Sequence, residues 1–133
     1  MSLQNASLLE GATMAAATGG SAIAFALTGV SVVNGVNISV PLDTDFRTRR
    51  NITVKNKQPS LLSDGTYTKN KQSASFVQPK ILADGSTVFN LIRIEREVHP
   101  ESSAAEALEL NTIGSQMLQD ADFTSFWAGG SLS

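Results

Sequence analysis

Alternation of apolar and polar residues dominates the middle of the chain. From Val88 to Val98 the even positions are Val88, Asn90, Ile92, Ile94, Arg96 and Val98, and the odd positions from 93 are Arg93, Glu95, Glu97 and His99. Period-two patterning of this kind predicts a strand with one face buried and one wet. Arg50 to Lys57 repeats it, with Ile52 and Val54 on one side and Thr53, Lys55 and Lys57 on the other. Residues 66–82 are more polar, with Ala74 and Phe76 on the apolar parity opposite Ser73, Ser75 and Val77; turn signals on both sides make this run a strand as well. Those signals are Gly19-Gly20, Asn34-Gly35, Asp64-Gly65 and Asp84-Gly85, residue pairs that supply the positive φ of tight turns. Val30–Val33 and Val36–Val40 flank Asn34-Gly35 and predict a hairpin there, with Pro41 ending the pairing. Residues 7–28 are rich in alanine and compatible with helix, but the Gly19-Gly20 break and the alternation of Ile23, Phe25 and Leu27 favour an N-terminal hairpin.

Beyond Pro100 the period changes. Ser103 with Glu106 has the spacing of a capping box, in which hydroxyl and carboxylate satisfy orphan backbone donors at a helix start. Ala107, Leu110, Ile113 and Met117 then form one apolar stripe. Asp120 or Asp122 can cap a second short helix carrying Phe123, Phe126 and Trp127, closed by Gly129. The chain thus reads as α+β: an N-terminal β-hairpin, an antiparallel meander sheet and two C-terminal helices. It forms one domain over 1–133, with the hairpin and first sheet strand in 1–40, the main sheet in 41–100 and the helices in 101–133. Two short helices cannot cover a sheet of five or more strands. A second copy laying its helices across the first copy's sheet solves the problem, and twofold pairing is the commonest oligomer form. The tail's apolar residues Leu110, Met117, Phe123, Phe126 and Trp127 are the expected dimer interface.

The charge map sharpens this picture. Net charge is only −2, yet residues 1–40 carry a single charge, Glu10, residues 41–100 carry ten bases against six acids, and residues 101–133 carry five acids and no base. From Arg47 to Lys80 eight bases face one acid, Asp64. A basic middle in a near-neutral protein is what a one-sided nucleic-acid surface looks like in sequence; the plainer reading is a solvated lysine-rich face. Tyr67 is the only tyrosine, Phe76 is the only phenylalanine from Arg47 to Lys80, and Phe46 stands at its edge. Contacts to the nucleic-acid backbone therefore fit better than base stacking on exposed rings.

Other chemistry finds little support. The absence of cysteine excludes disulfides, thiolate metal sites and cysteine nucleophiles, and a single histidine excludes a two-histidine metal site. Asp43 with Asp45, and Glu95 with Glu97, have the spacing of paired carboxylates, but ordinary ion-pair partners share that spacing. His99, one residue before Pro100, reads as a surface or helix-entry residue. The Asp-Gly turns lack the run of oxygen ligands of a calcium loop, and the glycines lack phosphate-loop spacing. No catalytic residue, metal or cofactor is expected. The uncharged stretch 11–42 is too interrupted by Thr, Ser, Asn and Gly for a membrane span, and no base precedes Arg47 as a secretory signal would require. A soluble protein without a membrane partner is expected.

The stretch from Ser86 to Pro100, running straight into a helix, and the ending Phe126 to Ser133 resemble the coat proteins of single-stranded RNA bacteriophages, the leviviruses. The resemblance is topological over the whole chain and local in sequence over its last third. It implies an intertwined homodimer with a continuous ten-stranded sheet, helices outside, and a bare sheet face lining an icosahedral shell that packages single-stranded genomic RNA. It also implies binding of an RNA stem-loop that represses translation, a phage maturation protein as a further partner, and a virion assembled in the host bacterial cytoplasm. The loop of Ile81, Leu82, Ala83, Asp84, Gly85 and Ser86 would meet neighbouring dimers. Two other readings are a non-assembling β-sheet RNA-binding module and a structural subunit that does not bind RNA.

Strand parity then proposes the RNA face. Ile52, Val54, Ile92, Ile94 and Val98 need burial, so the helices belong on their side. Asn51, Thr53, Lys55 and Lys57 fall on the opposite face, with Ser73, Ser75, Arg93 and Glu95 beside them if strands pair in chain order. Lys55, Lys57 and Arg93 are expected to hold phosphates, Thr53, Ser73, Ser75 and Asn51 to offer hydrogen bonds to bases or sugars, and Glu95 to orient Arg93 or a lysine. Acids at Glu95 and Glu97 are a departure from a purely cationic surface.

Overall fold

The computed structural model describes residues 3–14 and 16–133. The strands are β1 (Ala26–Leu27), β2 (Gly35–Ser39), β3 (Asn51–Lys57), β4 (Asn70–Ile81) and β5 (Thr87–Val98); the helices are α1 (Ala104–Gln119) and α2 (Thr124–Gly129). The strands form one antiparallel sheet in chain order, β1-β2-β3-β4-β5, a meander built from successive turns. The chain divides into two compact units. One is the sheet, residues 20–100; the other combines residues 1–19 with 101–133.

Within the sheet unit, the three strands with clean alternation form where the pattern places them. Two turns share one design. Asp64 Oδ1 accepts from the amide (3.0 Å) and hydroxyl (2.6 Å) of Thr66, and Asp84 Oδ1 accepts from the amide (2.9 Å) and hydroxyl (2.6 Å) of Ser86. Gly65 and Gly85 supply the left-handed residue, at φ 88° and 86°.

The N-terminal part differs from expectation. Of residues 7–28 only Ala26–Leu27 is strand, and the other described residues there form neither strand nor helix; Ala15 lies outside the described residues. The hairpin partner of β2 is β1, with Ala26 opposite Ser39 and Leu27 opposite Ile38; Val30–Val33 contributes a single bridge, Val32 to Gly35. Two features explain the shift. Gly29 (φ 78°) interrupts the run, and the Thr28 hydroxyl is bonded to the Asn37 side chain (2.9 Å), fixing the chain beside β2 before the valines begin. At Asn34-Gly35 the positive φ belongs to Asn34 (60°), while Gly35 is already strand and lies against β3. A Cβ at Gly35 would sit 1.9 Å from the Val54 carbonyl oxygen, so glycine is needed there for close approach.

In the second unit the capping box forms as read: Ser103 Oγ accepts from the Glu106 amide and Glu106 Oε2 accepts from the Ser103 amide, both at 3.2 Å. Asp120 caps the short turn Ala121–Phe123 that leads into α2. The helix closes at Gly130 (φ 72°), one residue later than Gly129, because Gly130 is the residue that turns left-handed. Along α1 runs an unforeseen segment. Ser7 donates its amide to Asp122 (3.1 Å), Gly11 to Glu109 (3.1 Å), and Leu9 exchanges two bonds with the Gln116 amide, at 2.7 and 2.8 Å. The side of α1 that becomes buried is accordingly the polar one at Thr112, whereas Leu110 and Met117 of the apolar stripe stay exposed.

Very little of the chain is buried. Among the described residues Val40 is the one buried hydrophobic, joined by the polar Ser39 and Thr112. The expected burial of Ile92, Ile94 and Val54 is absent from the single chain; Ile94 is 54% exposed. A chain of this size ordinarily buries about two thirds of its unfolded surface, so a buried set this small is unusual for a chain of this length.

Candidate nucleic-acid interface

The register tests whether the residues chosen by parity meet. Thr53 lies opposite Ser75 and Ser75 opposite Arg93, making one row across β3, β4 and β5. Lys55, Ser73 and Glu95 make the next row, and Lys57, Lys71 and Glu97 the one after. On the other side of Thr53, Asn51 lies beside Val77, which faces Leu91. All eight expected residues therefore share one sheet face, with Asn51 at the margin where it turns apolar. The opposite face carries the rows Ile52, Phe76, Ile92 and Val54, Ala74, Ile94.

The charges on the polar face are unevenly engaged. Lys71 bridges Glu97 at 3.0 Å and Glu95 at 3.6 Å. The Glu97 hydrogen bond and charge raise the Lys71 pKa, and Lys71 in turn lowers that of Glu97. Glu95 thus pairs with a lysine, as one of its two expected roles required, through a residue the parity reading stopped short of. Lys71 continues the odd-numbered parity of Ser73 and Ser75, so its position was readable. Lys55, Lys57 and Arg93 make no ion pair among the described residues. They leave three cations facing outward around an acidic pair that Lys71 half neutralises.

A second contribution comes from β2, which the reading had not placed on this face. The Thr28 hydroxyl donates to Asn37 Oδ1 (2.9 Å), and Asn37 Nδ2 donates to Thr53 Oγ1 (2.8 Å). Asn37 lies directly opposite Thr53 and extends the Thr53, Ser75, Arg93 row to a fourth strand. The chain Thr28, Asn37, Thr53 occupies the Thr53 oxygen as an acceptor from within the sheet and leaves its O–H available as a donor.

The two carboxylate pairs have structural partners. Asp43 accepts from Arg50 Nε (2.9 Å) and Nη2 (3.0 Å), and Arg47 pairs with Asp45 at 3.1 Å. Among the described residues no three acidic or imidazole side chains cluster as a metal site would need, and no helix is long and apolar enough to cross a membrane. Of the expected dimer-interface residues, Phe123 and Phe126 are half-buried and Leu110, Met117 and Trp127 exposed. Trp127 Nε1 donates to the Met117 carbonyl (2.8 Å) and its ring meets Phe126 edge-on at 4.9 Å, fastening α2 to the end of α1. In the expected inter-dimer loop, Ile81 ends β4 and Leu82 to Ser86 form the Asp84 turn, with Leu82 exposed.

The sheet unit is thus an open meander with one polar face and one face carrying exposed apolar rows, followed in the chain by two helices. No protein-family model matches the chain, and no curated protein does. Solved structures do. The virus-like particle of bacteriophage GQ-907 is built from a chain 49% identical to this one, covering 99% of this chain and 100% of that one at a TM-score of 0.92. Those of bacteriophage AVE019 (7% identity, TM-score 0.64) and Beihai levi-like virus 21 (15%, 0.61) share the fold; each match covers 82% of this chain and 86% of the other. The chain belongs to the levivirus-type coat proteins, structural subunits of the phage capsid and components of the virion.

Proposed function

We propose that this coat protein, as a single subunit over 1–133, forms an intertwined homodimer whose polar sheet face lines an icosahedral shell and holds single-stranded RNA. The observation that carries the RNA assignment is the continuous face of Asn51, Thr53, Lys55, Lys57, Ser73, Ser75 and Arg93, on which Lys55, Lys57 and Arg93 are left without acidic partners. Phosphate contacts supply affinity without sequence information, which suits packaging. Oriented groups such as the Thr53 hydroxyl are the kind that could read bases or sugars in a repressor stem-loop. The dimer is supported by the bare rows of Ile92 and Ile94 on the opposite face and by the exposed Leu110, Met117 and Trp127. In this reading helices of one copy cover the apolar face of the other, the turn Ile81 to Ser86 meets neighbouring dimers, assembly occurs in the bacterial cytoplasm, and a maturation protein joins the particle. Family membership points to a structural role and away from an enzymatic one.

The test is electron microscopy of the purified recombinant protein, with nuclease digestion before nucleic-acid extraction. Closed particles containing nuclease-protected RNA are expected. Empty particles would remove the RNA assignment, and a soluble dimer that binds RNA without assembling would favour the module reading.

A further inference from the structure

The connection between β2 and β3, residues 40–50, is a loop held rigid by its own polar groups. Besides its paired bonds to the Arg50 side chain, Asp43 accepts from the Arg50 amide (3.0 Å), and its carbonyl accepts from Arg49 Nε (2.9 Å). Arg47 is tied to Asp45, and the Thr48 amide donates to the Asp45 carbonyl (3.1 Å). Yet this stapled loop displays Leu42 and Phe46 at 86% and 83% exposure, the two highest values for large hydrophobic residues among those described. The Arg49 guanidinium lies 4.6 Å from the centre of the Phe46 ring. Single exposed apolar residues mean little. Two on a pre-ordered loop are different, because the entropy of ordering has already been lost before docking. Aromatic and arginine side chains are also the commonest anchors of protein interfaces.

We infer that this loop is an assembly contact which docks onto the C-terminal helical segment of another copy of this chain. The choice of occupant follows from charge. Three arginines against two aspartates leave the loop 41–50 basic, while residues 101–133 carry five acids and no base. Outside the residues assigned to the dimer interface, that segment also exposes Leu108 and Leu118, so it offers apolar surface framed by the complementary charge. The acids of the polar sheet face, Glu95 and Glu97, share Lys71 and lie among Lys55, Lys57 and Arg93, whereas residues 101–133 hold no base at all. The contact is made by a different connection from the turn Ile81 to Ser86 at the same end of the sheet, and it rests on membership of the coat family rather than on RNA binding.

The chain has no cysteine, so Thr44→Cys places a unique thiol between the two apolar anchors without removing either. Labelled with a maleimide benzophenone, it is assembled from a mixture of ¹⁵N-labelled and unlabelled copies, irradiated, digested and analysed by mass spectrometry. Mixed-isotope cross-links from position 44 to residues 101–133 are expected; cross-links confined to the same copy, or to residues 20–100 of another, overturn the proposal. Independently, Leu42→Ser with Phe46→Ser should give folded protein with an unchanged circular dichroism spectrum and at least a tenfold loss of particle yield. Val33→Ser, equally exposed outside the loop, should assemble like wild type. Normal particle yield from the double variant refutes the contact, and if that variant fails to fold the cross-link decides. RNA content measured on the same wild-type particles reports separately on the packaging assignment.

Discussion

Asp43 shows how much one side chain can organise. Its hydrogen bonds from the Arg50 side chain and amide hold its pKa down to about 2 from 3.8. A carboxylate depressed in the folded state stabilises fully above its unfolded pKa, and the stabilisation disappears as pH falls through the folded value. The stability difference between wild type and Asp43→Asn, read from urea midpoints, should therefore be constant from neutral pH to about pH 5 and shrink between about pH 4 and pH 2. A difference that persists unchanged to the acid limit would contradict the Arg50 pairing. Lys55 and Lys57 illustrate the opposite case, charges that the fold leaves unused. Lys55→Ala with Lys57→Ala should leave thermal stability nearly unchanged and weaken RNA binding for all sequences. The log–log salt slope should fall by roughly one to two units, since each lost phosphate contact removes about 0.7–0.9. An unaltered slope in filter-binding titrations would mean that RNA meets the other face.

Among the elements, α1 has the least expected environment. The amphipathic stripe suggested that its apolar side would find the core, whereas within its own unit it receives residues 7–11 through Glu109, Gln116 and, just beyond its end, Asp122. Gln116 recognises backbone by giving and accepting one bond each with Leu9, as a neighbouring strand would. Such a segment is held by few contacts and opens locally, without global unfolding. Gln116→Ala removes both hydrogen bonds to Leu9, worth about 0.5–1.5 kcal/mol each, along with the bond from Gln116 Nε2 to the Thr112 carbonyl. The expected result is amide exchange at Leu9 faster by roughly five- to 150-fold and earlier proteolysis within residues 3–14, with α1 itself retained because its capping box is untouched. Protection at Leu9 equal to wild type would show that the side-chain bonds are dispensable.

At the scale of the molecule the deciding fact is how little one chain buries. Strands β3 to β5 satisfy their backbone groups against each other, but the rows containing Ile92 and Ile94 face no apolar partner in the single chain. If the proposed dimer is obligate, folding and association are one event. Trp127 is 54% exposed in the single chain, and the proposed dimer would bury it against the partner. Trp127→Ala should therefore weaken the dimer by about 3–5 kcal/mol, the usual cost of removing a large buried aromatic side chain. Sedimentation equilibrium should show wild-type dimers at micromolar concentration and dissociation of the variant at the same concentration. A stable, monodisperse wild-type monomer would overturn the dimer.

Much of this architecture is local and was legible as such. Alternation through Thr53 to Lys57 and Arg93 to Glu97 assigns faces because successive side chains of a strand must point to opposite sides. Asp-Gly turns join neighbours in chain order, and Ser103 with Glu106 starts a helix wherever an apolar stripe follows. The co-facial site set required nothing more, since parity and chain order already determine it. What parity could not supply was pairing between segments of weak pattern. Val30–Val33 looked a better partner for β2 than Ala26–Leu27, and only the Thr28 to Asn37 bond and the turn at Gly29 decide between them. Neither the bridge from Lys71 to both glutamates nor the docking of Leu9 on Gln116 has a periodic signature, because each depends on distances set by the folded backbone. Local order is written in residue-by-residue sterics and patterning; lateral and long-range contacts exist only after distant segments have been brought together, and their geometry is decided there.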